Sequence, residues 1–301
     1  MDFEEYLDDL RAQGRSVETV KQYRWHLGQW LLWCQEAGVQ DLAGLDRALL
    51  RRWAASVQDR WAPATARTAV VTVKGFLRWA GSEGLCAPKL GETLKTPRRS
   101  RRIQRAARVD EIAVMLSQCG ADAVGVRNAA MLSLAFDSLL RVSELCSLRV
   151  QDVDLTRLAV LVMGKGGKQR VVRFGADTGQ RLAAWLRIRG RYTHVDALFV
   201  GVGGSKPGEA MTRGGVRCIV GKLADRAGVA HLSPHALRRG GAVAMIEAGA
   251  PSRLVQIHGG WDDISMLEWY TQQADAAKGF DRWSPVNGVG HDPETGDKSD
   301  A

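Results

Sequence analysis

Residues 158–174 read Leu-Ala-Val-Leu-Val-Met-Gly-Lys-Gly-Gly-Lys-Gln-Arg-Val-Val-Arg-Phe. The segments 158–163 and 170–174 are rich in β-branched and apolar residues, and the glycine-containing turn between them predicts a β-hairpin. Lys165 lies at the tip of this hairpin, with Lys168 as the alternative. Most other segments are typical of helices that end at glycine or begin at serine, aspartate or proline. The sequence therefore predicts a mainly α-helical protein with a small antiparallel sheet.

The first 97 residues predict a bundle of helices with an aromatic core. Ser16 is a good N-cap for the second helix, the third begins near Asp46, and Pro63 suits the first turn of a fourth. Six of the ten tryptophans fall in this region. Because they lie in amphipathic stripes, we expect them to pack in the core rather than to contact bases.

The net charge of +9 is concentrated in one short segment. Residues 98–108 contain six arginines and no acidic residue. A run of like charges resists packing and attracts a polyanion. The segment is therefore either a solvated linker without a partner or a contact for nucleic acid. In the second case, the candidate DNA contacts are Arg98, Arg99, Arg101, Arg102 and Arg105.

Composition argues against several classes of protein. No apolar run approaches the roughly 18 residues that span a bilayer, and the N-terminus is acidic where a signal peptide is basic. The five cysteines are scattered without a C-x-x-C pair, which indicates reduced thiols in a cytoplasmic protein. His231 and His235 flank a Leu-Ser-Pro segment without a third ligand, so we predict no metal site.

Polar residues in the second half indicate phosphoryl chemistry. Arg141 opens the string Arg-Val-Ser-Glu-Leu, and His235 precedes Arg238 by about one helical turn. The planar fork of arginine forms paired charge-assisted hydrogen bonds with phosphate. Two arginines from different elements could therefore stabilise the transition state of a phosphodiester. His235 could donate to the phosphate or remove a proton, and Glu144 is near enough to orient Arg141. After the arginine-rich segment, Asp110 is also predicted to cap a helix that runs through Leu116, and Ser143 a short helix.

Three further residues complete this set. Lys165 could protonate a leaving hydroxyl, and Trp261 offers an indole N–H that could donate to the phosphate or pack behind the nucleophile. Tyr270 is the candidate nucleophile, because the other tyrosines lie in the N-terminal helices or, like Tyr192, outside every motif. Singly, each residue also has an ordinary interpretation as surface or local structure, and Arg239 is interpreted in that way.

The order and spacing of these residues resemble the tyrosine recombinase (phage integrase) family, which includes phage integrases, Xer recombinases and Cre. The string that begins at Arg141 resembles the first arginine box of the family. Gly-Lys165-Gly resembles its β-hairpin lysine, and His235-Ala-Leu-Arg238 resembles its H-x-x-R box. Tyr270 resembles its nucleophile. The resemblance covers nearly all of the chain before the C-terminal tail.

The resemblance implies a two-domain clamp around DNA. Residues 1–97 would form a helical core-binding domain, residues 98–108 an arginine-rich linker, and residues 109–283 the catalytic domain. Residues 284–301 are rich in glycine and acidic residues and are predicted to be a disordered tail. No separate N-terminal arm-site domain is expected.

The resemblance also implies site-specific recombination. Tyr270 would attack a phosphate of double-stranded DNA at a specific core or attachment site and form a 3′-phosphotyrosine, while Lys165 would protonate the leaving 5′ oxygen to give a 5′-hydroxyl. The bond energy is conserved, so no metal, ATP or other cofactor is expected. Four protomers would exchange strands through a Holliday junction in a bacterial or phage-infected cell. Residues 271–283 would dock on a neighbouring protomer, and an accessory directionality factor could take part.

Two departures from the family pattern leave alternatives open. Most members have histidine at the position of Trp261, although Cre is similar in having Gly-Gly-Trp. Residues 239–242 read Arg-Gly-Gly-Ala where many members have a His-[Thr/Ser]-Phe-Ala-type string. We favour a phage or mobile-element integrase, since Trp261 disfavours an ordinary Xer enzyme. The alternatives are a chromosomal or plasmid Xer- or Cre-like resolvase, a non-catalytic DNA-binding protein, and an enzyme similar to type IB topoisomerases.

Overall fold

The chain divides into two compact units, Met1–Arg102 and Ile103–Ala301. Helices predominate in both, and the second unit also contains a small antiparallel sheet, so the predicted fold class is confirmed. None of the described helices is long and apolar enough to cross a membrane. The computed structural model describes residues 2–98, 105–164, 167, 169–203 and 206–271.

The first unit is a helical bundle whose N-caps follow the sequence signals. Its helices are α1 (Glu4–Ala12), α2 (Val17–Glu36), α3 (Arg47–Arg60) and α4 (Pro63–Ser82), followed by a 3₁₀ helix (Leu90–Thr93). The hydroxyl of Ser16 accepts a hydrogen bond from the backbone N–H of Thr19 at 3.2 Å. The carboxylate of Asp46 accepts one from Leu49 at 2.7 Å. Both caps satisfy amides that the first helical turn leaves without partners.

Aromatic side chains form the centre of this bundle. Trp30 is fully buried, and its ring meets Phe76 edge-on at 5.6 Å and Trp53 at 6.5 Å between centroids. Such edge-to-face pairs add to the free energy of burying large apolar surfaces. The prediction of core packing is therefore confirmed for Trp30 and Trp53, whereas Trp25 remains half exposed.

The second unit combines eight described helices with a short sheet. The helices are α5 (Val109–Ser117), α6 (Ala123–Asp137), α7 (Val142–Ser147), α8 (Ala176–Arg189), α9 (Arg213–Arg226), α10 (Pro234–Glu247), α11 (Ser252–Gly259) and α12 (Ile264–Thr271). The strands are β1 (Val153–Asp154), β2 (Ala159–Met163) and β3 (Gln169–Arg173). The predicted hairpin is confirmed as the β2–β3 pair, with Val160 opposite Val172. Strand β1 has only two residues and shows no alternation from which it could be predicted.

The alternation of β3 decides which of its side chains face the interior. Val172 is fully buried and Arg170 is largely shielded, whereas Val171 and Arg173 are exposed. Because successive residues of a strand point to opposite faces, Arg170 and Val172 share the inner face. A cationic side chain is thus directed inwards beside the apolar core of the unit.

Two predicted helix caps were wrong. Asp110 lies inside α5 and Ser143 inside α7, so neither is an N-cap. Instead, a glutamate in the first turn accepts the backbone N–H of the residue before each helix. Glu111 does so from Arg108 at 2.9 Å, and Glu144 does so from Arg141 at 2.8 Å. The glutamate half of a capping box therefore starts both helices.

Candidate active site

Glu144 is the centre of a buried cluster of arginines. It is 4% exposed and accepts two hydrogen bonds from Arg141, one from the backbone N–H and one from Nη1, both at 2.8 Å. Arg170 donates from Nη1 and Nη2 to its two carboxylate oxygens, each at 2.9 Å. The prediction that Glu144 lies near enough to orient Arg141 agrees with this contact.

The arginines keep Glu144 ionised in spite of its burial. Burial by itself would raise the pKa of this carboxyl. The hydrogen bonds from Arg170 and from the backbone of Arg141, with the positive charge of Arg170, outweigh it and hold the pKa of Glu144 below its usual value. A permanent negative charge is therefore available to fix the arginines around it.

Both terminal nitrogens of Arg141 are held by hydrogen bonds, and its side chain is still partly exposed to solvent. Its Nη1 is held by Glu144, and its Nη2 donates to the carbonyl of Gly260 at 2.7 Å. Its side chain is nevertheless 35% exposed. A guanidinium fixed in this way keeps an accessible edge for an anionic ligand.

Arg238 approaches the same carboxylate from α10. Its side chain is 5% exposed, and its Nη1 lies 3.9 Å from Oε2 of Glu144. The same nitrogen donates to the carbonyl of Leu139 at 2.6 Å. Leu139 is fully buried and has a φ of 50°, a left-handed conformation that is uncommon for leucine. The backbone between α6 and α7 thus presents a carbonyl to the buried arginine.

Trp261 packs against Arg238 after a turn that requires glycine. The guanidinium carbon of Arg238 lies 4.1 Å from the centroid of the Trp261 ring, a cation–π arrangement. Gly260 has a φ of +67°, and a Cβ atom at Gly259 would lie 2.0 Å from the indole ring. A side chain at Gly259 would displace the tryptophan, and one at Gly260 would strain the backbone and press on Arg170. A hydrogen bond from its N–H to a phosphate stays a prediction.

His235 lies near the arginines on the first turn of α10 and is accessible to solvent. Partial desolvation is the largest cause that lowers its pKa. Positive charge adds to this effect, and it comes from Arg239, Arg238, Arg217 and Arg141. A neutral imidazole at pH 7 can accept a proton, as a general base must.

The remaining members of the predicted set are only partly described. Lys165 and Lys168 lie outside the described residues. The backbone of Tyr270 belongs to α12, which packs on α10 and α11. Leu267, one turn before Tyr270, is buried in an apolar cluster with Leu139 and with Trp261 at its edge. The helix that carries the candidate nucleophile is thus packed beside the elements that hold the arginines.

The end of the arginine-rich segment belongs to the second unit and is held there by Arg105. Arg105 forms an ion pair with Glu111 at 2.5 Å and donates to the carbonyl of His231 at 2.9 Å. Arg98 is exposed. Contact of these arginines with DNA stays a prediction. Outside the described residues lie Arg99, Arg101 and Arg102.

The interpretation of Arg239 as a surface residue was wrong. Its side chain is buried and donates from Nε and Nη2 to the carbonyl of Arg105 at 3.0 and 2.8 Å. A Cβ atom at Gly240 would lie 2.0 Å from the carbonyl oxygen of Ala107, and one at Gly241 would lie 2.2 Å from that of Phe136. The unusual string 239–242 therefore lets two backbone segments approach α10 closely.

Sequence reasoning missed Arg170 as a member of the site. The sequence assigned it only to a strand of the hairpin, yet both of its terminal nitrogens donate hydrogen bonds to Glu144. The signal available in the sequence was its spacing of two from Val172, which places both side chains on one face. In the described part of the chain, no group of three or more His, Cys, Asp and Glu side chains could hold a metal ion.

Two arginines fixed on one buried carboxylate, beside a helix that carries a tyrosine, suit an enzyme that transfers a phosphodiester to its own side chain. Comparison with known families agrees with this class. The family model described as "Phage integrase family" matches residues 106–277. The model described as "Phage integrase, N-terminal SAM-like domain" matches residues 3–84. The chain therefore belongs to the phage integrase family of tyrosine recombinases, site-specific enzymes that bind DNA, cleave it and rejoin it.

Curated relatives and solved structures support the assignment. Tyrosine recombinase XerC of Corynebacterium efficiens is 34% identical over 90% of this chain and 85% of its own length. Tyrosine recombinase XerD of Mycobacterium tuberculosis is 31% identical over 88% and 91%. The fold is similar to XerH recombinase bound to palindromic difH substrate, with a TM-score of 0.74 and 19% identity over 94% of this chain and 83% of that one. For a lambda integrase dimer bound to a core site, the TM-score is 0.71 with 16% identity over 89% and 93%.

Proposed function

We propose that the protein is an Xer-like recombinase that uses Tyr270 as its nucleophile. The observation that carries this proposal is the shared carboxylate of Glu144, which holds Arg141 and approaches Arg238. The site therefore gathers positive charge where the non-bridging oxygens of a phosphodiester would develop negative charge. The curated relatives are named XerC and XerD, which favours the Xer-like alternative over the phage integrase that the sequence favoured.

In the proposed step, the phenolic oxygen of Tyr270 attacks the phosphorus and the bond to the 5′ oxygen breaks. Neutral His235 is suited to take the phenolic proton, and Lys165 supplies a proton to the leaving oxygen. The products are a 3′-phosphotyrosine and a 5′-hydroxyl. Attack by the 5′-hydroxyl of a partner strand reverses the same step, so one phosphoester replaces another throughout.

We propose that the protein also assembles on DNA as the family resemblance implies. Residues 1–97 and 109–283 both bind the duplex site in the cytoplasm, and residues 98–108 join them. Four protomers exchange strands in pairs, and residues 271–283 link neighbouring protomers. An accessory directionality factor could take part in the exchange. These features rest on the family resemblance and remain proposals.

Covalent trapping tests the nucleophile. Wild-type protein first selects its site from randomised duplexes, and that site is then nicked beside the scissile phosphate so that the cleaved fragment diffuses away. We expect wild type to accumulate a covalent DNA adduct and Tyr270→Phe to form none, because phenylalanine lacks the attacking oxygen. Adduct is measured by denaturing gel electrophoresis.

Tyr192→Phe is the matched control, since Tyr192 lies outside the proposed site and should react as wild type does. If wild type binds the selected site without forming an adduct, the protein is a non-catalytic DNA-binding protein and the proposal fails. If Tyr270→Phe retains the adduct, another side chain is the nucleophile.

A further inference from the structure

Arg170 joins three segments that converge on the proposed site. From β3 it donates two parallel hydrogen bonds to Glu144 on α7, each at 2.9 Å. Its Nε donates to the carbonyl of His258 at the end of α11, at 3.3 Å. Its side chain is only 16% exposed, so it is far less accessible to an external ligand than Arg141.

Charge explains why this contact matters. Glu144 carries one negative charge, and three guanidinium groups surround it. The bidentate pair with Arg170 is the most complete of these contacts, so Arg170 takes up most of the charge of the carboxylate. Glu144 can then hold Arg141 by a hydrogen bond while the positive charges of Arg141 and Arg238 remain for a phosphate.

Arg141 and Arg170 both contact the Gly259-Gly260 turn that precedes Trp261. Arg141 donates to the carbonyl of Gly260 at 2.7 Å. A Cβ atom at Gly260 would lie 3.0 Å from Cζ and Nε of Arg170, so the guanidinium lies directly against this turn. A shift of Arg170 would therefore move Gly260, and with it the ring on which Arg238 stacks.

We propose that Arg170 is a positioning residue for strand cleavage. It neutralises Glu144 and braces the Gly259-Gly260 turn, so that Arg141 and Arg238 keep both their geometry and their charge for the scissile phosphate. This inference rests on the proposed function, because it assigns Arg170 a part in the same reaction without contact to DNA.

The first test compares Arg170→Gln with Arg173→Gln, a control on the outward face of the same strand. Cleavage of the nicked substrate is measured in single turnover at saturating protein, and affinity for the uncleaved site is measured separately. We expect Arg170→Gln to cleave about 100-fold more slowly, as for a misplacement of catalytic groups by about 1 Å, with affinity nearly unchanged. Arg173→Gln should match wild type.

Folding is checked by circular dichroism. If Arg170→Gln loses the wild-type spectrum, Arg170→Lys replaces it, and the same loss of rate is expected because a lysine cannot form two parallel hydrogen bonds with a carboxylate. If wild type forms adduct and a folded Arg170 variant cleaves at the wild-type rate, the inference fails and the proposed function stands. If wild type forms no adduct, the proposed function itself fails.

Two further measurements separate positioning from general destabilisation. In the double variant Arg170→Gln/Glu144→Gln, we expect a total loss well short of the product of the two single losses, since no carboxylate is left to compete for the other arginines and only the brace on the Gly259-Gly260 turn is still missing. Multiplying losses would contradict the proposal. On a substrate with a neutral methylphosphonate at the scissile position, the deficit of Arg170→Gln should shrink, because less negative charge needs to be stabilised. An equal deficit on both substrates would also contradict it.

Discussion

In the first unit, the largest fully buried side chains are apolar, whereas the second unit buries charges together with its apolar core. Among the residues that the structure describes, the buried polar side chains of the first unit are His26 and Thr72. Those of the second unit include four arginines and two glutamates: Arg127, Arg189, Arg238, Arg239, Glu111 and Glu144. Buried charges are stable only when they are paired and hydrogen-bonded. The difference indicates that the first unit is stabilised mainly by apolar packing, whereas the second unit must pair its buried charges, and the pair formed by Glu144 and Arg238 belongs to the proposed site.

Removing a buried charge from the second unit should have the largest effect, and the quantity that changes should be the rate of DNA cleavage. We expect Arg238→Met to slow single-turnover cleavage by about 10²–10³-fold, as for loss of one donor to a developing oxyanion. Methionine fills much of the apolar volume but provides no charge or hydrogen bond. Affinity for the uncleaved site should change much less. A rate close to that of wild type would show that the buried charge of Arg238 serves folding alone.

Removing an aromatic ring from the first unit should instead affect stability. Trp30→Ala is expected to lower the free energy of unfolding of this unit by about 3–5 kcal/mol, because it removes contacts with Phe76 and Trp53 and leaves a cavity. The loss is measured by chemical denaturation followed by circular dichroism. Trp30→Phe is the matched control and should lose much less, since the indole nitrogen has no hydrogen-bond partner in the described structure. Similar losses for both variants would contradict apolar packing as the cause.

The smallest effect should come from the one buried imidazole of the described first unit. Burial lowers the pKa of His26, so below about pH 6.5 the unfolded chain binds a proton that the folded unit resists. Stability should therefore be unaffected by this group at pH 7.5 and should fall as the pH is lowered below 6.5. We expect His26→Phe, which preserves ring contacts with Trp25 and Trp61, to reduce the drop in thermal midpoint between pH 7.5 and 5.5. An unchanged drop would assign the pH dependence to other groups.

Much of the fold and several members of the candidate site were predictable from the sequence because their signals are local. Ser16 caps a helix through an amide three residues away, and two β-rich segments on either side of a glycine turn predict the β2–β3 hairpin. Arg141 and Arg238 were identified because arginine chemistry, spacing and a family resemblance agree. Their roles, and that of Tyr270, stay predictions until cleavage is measured.

The features that were missed depend on partners far apart in the sequence. Arg170 meets Glu144 across 26 residues, and Arg239 meets the carbonyl of Arg105 across 134. Neither pairing leaves a periodic pattern, so a buried arginine looks like a surface arginine until its acceptor is known. The helix caps failed for a related reason. Asp110 and Ser143 are suitable cap residues. However, Glu111 and Glu144, one position further on, accept hydrogen bonds from the backbone N–H groups that precede the two helices.

Leu139 has a consequence for anyone who evolves or redesigns this enzyme. A left-handed leucine costs about 1–2 kcal/mol of backbone energy, but losing its fully buried side chain would cost about 2–5 kcal/mol, so glycine would still lower stability here. The carbonyl that this conformation aims at Arg238 would then be free to rotate away. Position 139 is thus one at which selection for heat resistance and selection for recombination favour the same residue, and a library built for either should leave it unchanged.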